Sequence, residues 1–162
     1  MIELRIGQGF DAHSFSPNRP LILGGVKIPY EFGLAGHSDA DCLTHAIIDA
    51  LLGAASLGDI GVHFPPSDPT YKDIFSLDLL RRVSDFLKTD GWEVINVDAT
   101  IIAQSPIMSP YTAMMQKNIK ECILKAPSVS IKATTTEGMG FTGRKEGIAA
   151  LAVALISRQK GE

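Results

Sequence analysis

Apolar and polar residues alternate at the start of the chain. Ile2, Leu4 and Ile6 flank Glu3 and Arg5, and this period of two predicts a strand over residues 2–10. Residues 21–28 are apolar on either side of Gly24-Gly25, which reads as strand, turn or bulge, strand: a small N-terminal hairpin ended by Pro29. After a loop over 30–36 the period changes. Leu43, Ile47, Ala50, Leu51 and Ala54 recur at helical spacing, so a helix is expected from an N-cap at Ser38 or Asp39 to about Ala55, with these residues on its buried face. Residues 57–69 follow no period, and a polar loop of that length in a small domain is usually functional or mobile.

The second half predicts an amphipathic helix over 76–88, with Leu77, Leu80, Val83 and Leu87 on one side, then a strand over 93–103. Beyond a loop over 104–110, a helix is expected over 111–124, a strand over 128–136 and a last helix over 144–157. A right-handed crossover makes the two strands of this half parallel, whereas the N-terminal hairpin is antiparallel. The expected class is therefore α+β, an α/β two-layer sandwich with a mixed β-sheet and helices on one face. At 162 residues, 45% of them hydrophobic, one domain over residues 1–162 accounts for the chain.

Charge narrows the function. The net charge is −3 and no basic run is present, so the footprint of a nucleic-acid binder is missing. Cys42 and Cys122 form no C-x-x-C motif, which suggests neither a zinc ribbon nor a disulfide scaffold. The longest apolar run, 147–156, is about half the ~20 residues that span a bilayer, and the N-terminus has no signal-peptide pattern. A soluble, intracellular protein without membrane or nucleic-acid partners is expected.

Two polar clusters carry candidate chemistry. On the predicted central helix, Asp41, His45 and Asp49 stand four residues apart, advance only about 40° per step and share one edge. Upstream, Asp11 and His13 point to the same side of an extended chain. Asp11, His13 and His45 together offer two nitrogens and a carboxylate, a donor set suited to a divalent transition ion, with zinc the leading choice and one position left open. Cys42 is turned toward the apolar side and reads as core. The second cluster runs Lys132-Ala133-Thr134-Thr135-Thr136-Glu137-Gly138-Met139-Gly140-Phe141-Thr142-Gly143-Arg144. Its hydroxyls, glycine-freed amides and arginine suit a diphosphate, and Glu137 suits a phosphate-bound magnesium. Nothing here reads as a Walker A motif.

The motifs Gly7-x-Gly9-Phe10-Asp11-x-His13, Gly36-His37-Ser38-Asp39-x-Asp41 with His45, Gly58-Asp59-Ile60-Gly61, Phe64-Pro65, and residues 132–137 with Gly140-Phe141-Thr142-Gly143-Arg144 closely resemble the 2-C-methyl-D-erythritol 2,4-cyclodiphosphate synthase family over nearly the whole chain. The resemblance implies conversion of 4-diphosphocytidyl-2-C-methyl-D-erythritol 2-phosphate into the 2,4-cyclodiphosphate and CMP, in non-mevalonate isoprenoid biosynthesis. It implies a homotrimer with active sites between subunits, in a bacterial cytoplasm or, for a processed form, a plastid stroma.

By the same likeness, Asp11, His13 and His45 hold Zn2+, and Glu137 holds a second ion, Mg2+ or Mn2+. His37 and Thr135 take transition-state positions. Substrate contacts fall to His37, Ser38, Phe64, Pro65, Pro66, Ser67 and Asp68 at the erythritol end, to Asp59, Ile60 and Gly61 at the ribose, and also to Asp11, Ala12 and His13. Ala103, Gln104, Ser105, Pro106, Ile107, Met108 and Ser109, from a neighbouring subunit, surround cytosine. Thr134, Thr135, Thr136, Glu137, Phe141 and Arg144 complete the set. Three positions depart from the likeness: Ile107 stands where relatives often carry lysine, Pro66 where some carry aspartate, and Leu151 where some carry glutamate. Two other readings stay open on residue types: a zinc-dependent phosphohydrolase, in which the metal activates water, and a non-catalytic trimeric nucleotide-binding protein with a structural zinc closed by a fourth ligand such as Cys42.

Overall fold

The frame is set by β1 (Ile2–Ser16), a 15-residue strand that continues past Phe10 and carries Asp11 and His13 within it. The computed structural model describes residues 1–125 and 127–159. After β1 come the hairpin strands β2 (Leu21–Leu23) and β3 (Val26–Ile28), the two-residue β4 (Gly33–Leu34), and helices α1 (Cys42–Ala55) and α2 (Ile60–His63). A 3-10 turn (Pro69–Tyr71) leads into α3 (Ser76–Thr89) and β5 (Glu93–Ile102), followed by α4 (Thr112–Cys122), β6 (Ser128–Thr134), α5 (Gly140–Gly143) and β7 (Gly147–Gln159). The main sheet has the order β4-β1-β7-β5-β6, with β5 and β6 parallel and the other pairs antiparallel. This is the expected α+β arrangement: α1 packs across β1 and β7, and α3 bridges α1 to α4, all on one face.

The last element differs from expectation. The stretch predicted as a helix over 144–157 is β7, paired with β1 on one side and β5 on the other. Its burial has period two: Ala150, Ala152, Ala154 and Ile156 are buried while Leu151 and Val153 are exposed. Alanine favours helix locally, but long-range pairing between two strands decides the outcome. The small alanines also let α1 lie close to the sheet.

The central helix likewise begins later than predicted. Asp41, not Ser38 or Asp39, is the N-cap of α1, and its carboxylate accepts from the Thr44 amide at 3.0 Å, the Thr44 hydroxyl at 2.7 Å and the Gly25 amide at 2.9 Å. Fully buried, it ties the hairpin turn to α1 and does not share the outward edge with His45 and Asp49. The long loop is partly ordered as α2 and the 3-10 turn, with Phe64 buried beneath it.

Opposite the helices, the sheet leaves Ile2, Leu4, Ile6, Phe10, Ile95, Leu151 and Val153 exposed. Phe10 pairs with Leu151 and Ile6 with Leu155, so these side chains form a contiguous apolar surface across β1 and β7. Among the described residues, no helix is long and apolar enough to cross a membrane.

Candidate metal centre and active-site cleft

Alternation along β1 turns Asp11 and His13 toward α1, and the first turns of that helix supply His45. The three ligand atoms converge: Asp11 Oδ2 lies 2.9 Å from His13 Nε2 and 3.0 Å from His45 Nδ1, and the two nitrogens are 3.3 Å apart. Two nitrogens each 2.0–2.1 Å from a tetrahedral ion would be separated by about 3.3 Å, so the donor set fits a zinc-like ion without rearrangement. The second carboxylate oxygen, Oδ1, accepts the Ala12 amide at 2.9 Å, leaving Oδ2 for the metal side. Cys42 is buried in the core and stands outside the group of possible ligands.

In the metal-free protein the three side chains couple electrostatically. Burial pushes the Asp11 carboxyl up, but hydrogen bonds from His13 and His45 more than offset it and hold Asp11 well below the usual carboxylate range. Burial pushes His13 down, and its bond and charge contact with Asp11 raise it above the ordinary histidine value on balance. A metal ion bound there would take the place of the proton that Asp11 stabilises on His13, because a ligating imidazole is neutral.

Beside the triad lies a cleft of about 250 Å³, lined by His37, Ser38, His45, Ile60, Gly61, Phe64 and Pro66, together with Tyr71, Ile74 and Leu79. Asp59 caps α2 by accepting the Val62 amide at 3.0 Å, and Asp49 accepts the Ile60 amide at 2.8 Å, so both carboxylates present α2 to the cleft. Pro65 and Ser67 lie on the loop outside this lining, and Asp68 accepts the Thr70 amide at 2.9 Å. Arg19 donates to the carbonyls of Gly36 at 2.6 Å and Ser38 at 2.5 Å, fixing the segment that carries His37. Nothing in the local sequence around Arg19 signals that role.

The remaining candidates gather elsewhere. Ala103, Gln104, Pro106, Ile107, Met108 and Ser109 line a second hollow of about 210 Å³ with Ala133, Thr134 and Thr135. Ser105 bonds instead to the Tyr30 hydroxyl at 2.9 Å. Gln104 accepts the Gly138 amide at 3.1 Å, joining this loop to the turn after β6, where the Thr135 hydroxyl donates to Glu137 at 3.1 Å. Thr136 donates to the Met139 carbonyl at 2.5 Å and sits 3.0 Å from buried Thr142. Phe141 is exposed, and Arg144 is paired with Glu146 at 2.7 Å. The cleft and the hollow share no lining residue among those described, so they are separate in one chain.

A mixed sheet that presents two histidines and a carboxylate beside a largely apolar cleft defines an α+β protein with a candidate metal centre. The model of the YgbB family matches residues 4–157, and the chain belongs to that family. The chain is 58% identical over 156 residues, 96% of this chain and 99% of the relative, to a 2-C-methyl-D-erythritol 2,4-cyclodiphosphate synthase from Enterococcus faecalis. Among solved structures it resembles the bifunctional IspDF of Campylobacter jejuni, with 43% identity and a TM-score of 0.93, covering 99% of this chain but 44% of that longer one. It also resembles the Plasmodium falciparum IspF CDP complex, with 33% identity, a TM-score of 0.83 and 97% of each chain covered.

Proposed function

We propose that the chain is a cyclodiphosphate synthase of the non-mevalonate isoprenoid pathway, converting 4-diphosphocytidyl-2-C-methyl-D-erythritol 2-phosphate into 2-C-methyl-D-erythritol 2,4-cyclodiphosphate and CMP. The observation that carries this reading is the convergence of Asp11, His13 and His45 at spacings suited to a divalent ion, directly beside the cleft. An oxygen of the 2-phosphate attacks the β-phosphorus, the bond from that phosphorus to the α-phosphate oxygen breaks, and CMP leaves with the bonding pair. The nucleophile belongs to the substrate, so the protein needs no serine or cysteine nucleophile, only alignment and charge neutralisation.

Asp11, His13 and His45 hold the zinc, and Glu137 a second divalent ion, magnesium or manganese; bound there, these ions supply Lewis-acid polarisation of the phosphates. His37 and the Thr135 hydroxyl donate to phosphate oxygens as charge redistributes. Ser38, Ile60, Gly61, Phe64 and Pro66 receive the erythritol and ribose portions, with Asp59, Pro65, Ser67 and Asp68 nearby. The loop from Ala103 to Ser109 receives cytosine, with Thr134, Thr136, Phe141 and Arg144 flanking the diphosphate. The bound CDP named for the Plasmodium falciparum neighbour supports a cytidine ligand.

A homotrimer completes the site. The apolar outer face of β1, β5 and β7 is the kind of contiguous surface that marks an interface, and the cleft and the hollow of one chain then serve two different active sites. The bacterial relatives favour a cytoplasmic setting. Incubating the purified protein with its diphosphocytidyl substrate and following products by phosphorus NMR tests the reaction. Cyclic diphosphate and CMP in equal amounts are expected, chelator-sensitive. A linear phosphate product would instead establish a phosphohydrolase, and turnover that survives complete metal removal would refute the metal assignment.

A further inference from the structure

His45 has two ring nitrogens, and only one can meet the ion. Nδ1 faces Asp11 and His13, while Nε2 lies on the far side, 2.9 Å from the Ser76 hydroxyl. Ser76 is fully buried at the start of α3. Its hydroxyl also bonds to Asp39 Oδ1, and its amide donates to Asp39 Oδ2 at 3.0 Å. The loop before α1, the start of α3 and the metal centre are thus joined through three side chains.

We propose that Ser76 and Asp39 are positioning residues for the metal centre, fixing the tautomer and orientation of His45 so that Nδ1 is free to bind the ion. The proton inventory carries this step. An ionised carboxylate only accepts, so the single hydroxyl proton of Ser76 goes to Asp39. Ser76 then offers His45 nothing but lone pairs, and the bond between them forms only when Nε2 carries the proton. A neutral imidazole protonated at Nε2 has its other lone pair on Nδ1, the atom turned toward Asp11 and His13. Ser38 is the more distant neighbour, its hydroxyl oxygen 3.3 Å from Nε2 against 2.9 Å for Ser76. Asp39 also raises the electron density of the ring through the hydroxyl, which strengthens the ligand.

Asp39 sits against the first turn of α3 as well, so a purely architectural role must be separated from a role at the metal. Asp39→Asn addresses this: the negative charge is gone, and because an amide has a single acceptor oxygen, only one of the two bonds to Ser76 survives. Ser76→Ala removes the acceptor facing Nε2. In chelator competition with zinc-free full-length protein, Ser76→Ala is expected to bind zinc about 10–100-fold more weakly, and Asp39→Asn to move in the same direction by a smaller factor. In the zinc-loaded protein the His45 Nε2 proton should give a slowly exchanging resonance that is lost in Ser76→Ala. Metal-free Asp39→Asn should melt below the parent, so zinc affinity and the His45 ring-proton resonance, not the melting point, separate the two roles.

The inference rests on the metal reading of the triad, and the parent protein tests that first. Failure of the parent to bind zinc removes both. Binding by the parent, with both variants within twofold of it, overturns only the positioning role, as does an unchanged His45 ring proton in Ser76→Ala. Should Ser76→Ala fail to fold, Asp39→Asn decides alone.

Discussion

Gly9→Ala should cost the protein both stability and its metal, because β1 and α1 meet backbone to backbone at this residue. A β-carbon on Gly9 would lie 1.9 Å from the Ala46 carbonyl oxygen and 2.7 Å from the Ala50 amide, the two partners of one helical hydrogen bond. Gly7 repeats the contact one step away, at 2.0 Å from the Ala50 oxygen and 2.5 Å from the Ala54 amide. Two strand residues rise about 6.6 Å and four helix residues about 6.0 Å, so each glycine meets a successive helical hydrogen bond as the elements run antiparallel.

Reaching an ordinary 3.4 Å contact at Gly9 requires about 1.5 Å of separation. The obstructing atoms are helix backbone, which cannot rotate away as a flexible side chain would. Overpacking typically costs 1–3 kcal/mol, and this rigid contact should fall near ~3 kcal/mol. His45 immediately precedes Ala46, so the same shift exceeds the ~0.5 Å tolerance of a ligand constellation and should abolish tight zinc binding. Urea denaturation of the metal-free protein and chelator competition measure the two effects. Gly53→Ala is the control: its β-carbon has only the Gln8 oxygen at 3.9 Å, so helix propensity predicts a neutral to ~1 kcal/mol stabilising change. If Gly9→Ala were within about 0.5 kcal/mol of the parent and bound zinc normally, the close-packing argument would be wrong.

In the metal-free protein, the contribution of depressed Asp11 is present above its unfolded value of 3.8 and lost as pH falls through its native value; that of raised His13 is full below 6.5 and lost as pH rises through its native value. Their ion pair therefore contributes most between those limits, and stability measured by urea should decline from about pH 5 to about pH 8 less in His13→Ala than in the parent; equal declines would contradict this. Ile6→Glu places a charge in the apolar outer face and should convert the proposed trimer to monomers in sedimentation velocity, a result refuted by an unchanged mass. Glu137→Gln should lose turnover that added magnesium partly restores, whereas Thr135→Val should lose roughly 10²-fold without rescue; equal responses to magnesium would collapse the distinction between metal ligand and phosphate donor.

The sequence determined what local periodicity and residue chemistry can encode. The alternation of Ile2, Leu4 and Ile6 specified β1, the spacing of Leu43, Ile47 and Leu51 specified α1, and two histidines with one aspartate specified a candidate metal set. Motifs that matched in order over one chain pointed to the family, and the phosphate and cytosine segments are proposed from that likeness.

Tertiary structure decided the rest, wherever distant segments must meet before a preference has meaning. Residues 144–157 are rich in alanine and read locally as helix, yet from Gly147 they form the central strand because β1 and β5 offer hydrogen bonds on both sides. Asp41 shares helical spacing with His45 on paper, but capping Thr44 and binding the Gly25 amide draw it into the core. The Ser76 contact with His45 spans 31 positions and left no pattern along the chain. The glycines at 7 and 9 looked merely small; only the helix lying across them requires that they have no β-carbon. Local sequence sets what each segment can become, and the long-range contacts select among those options.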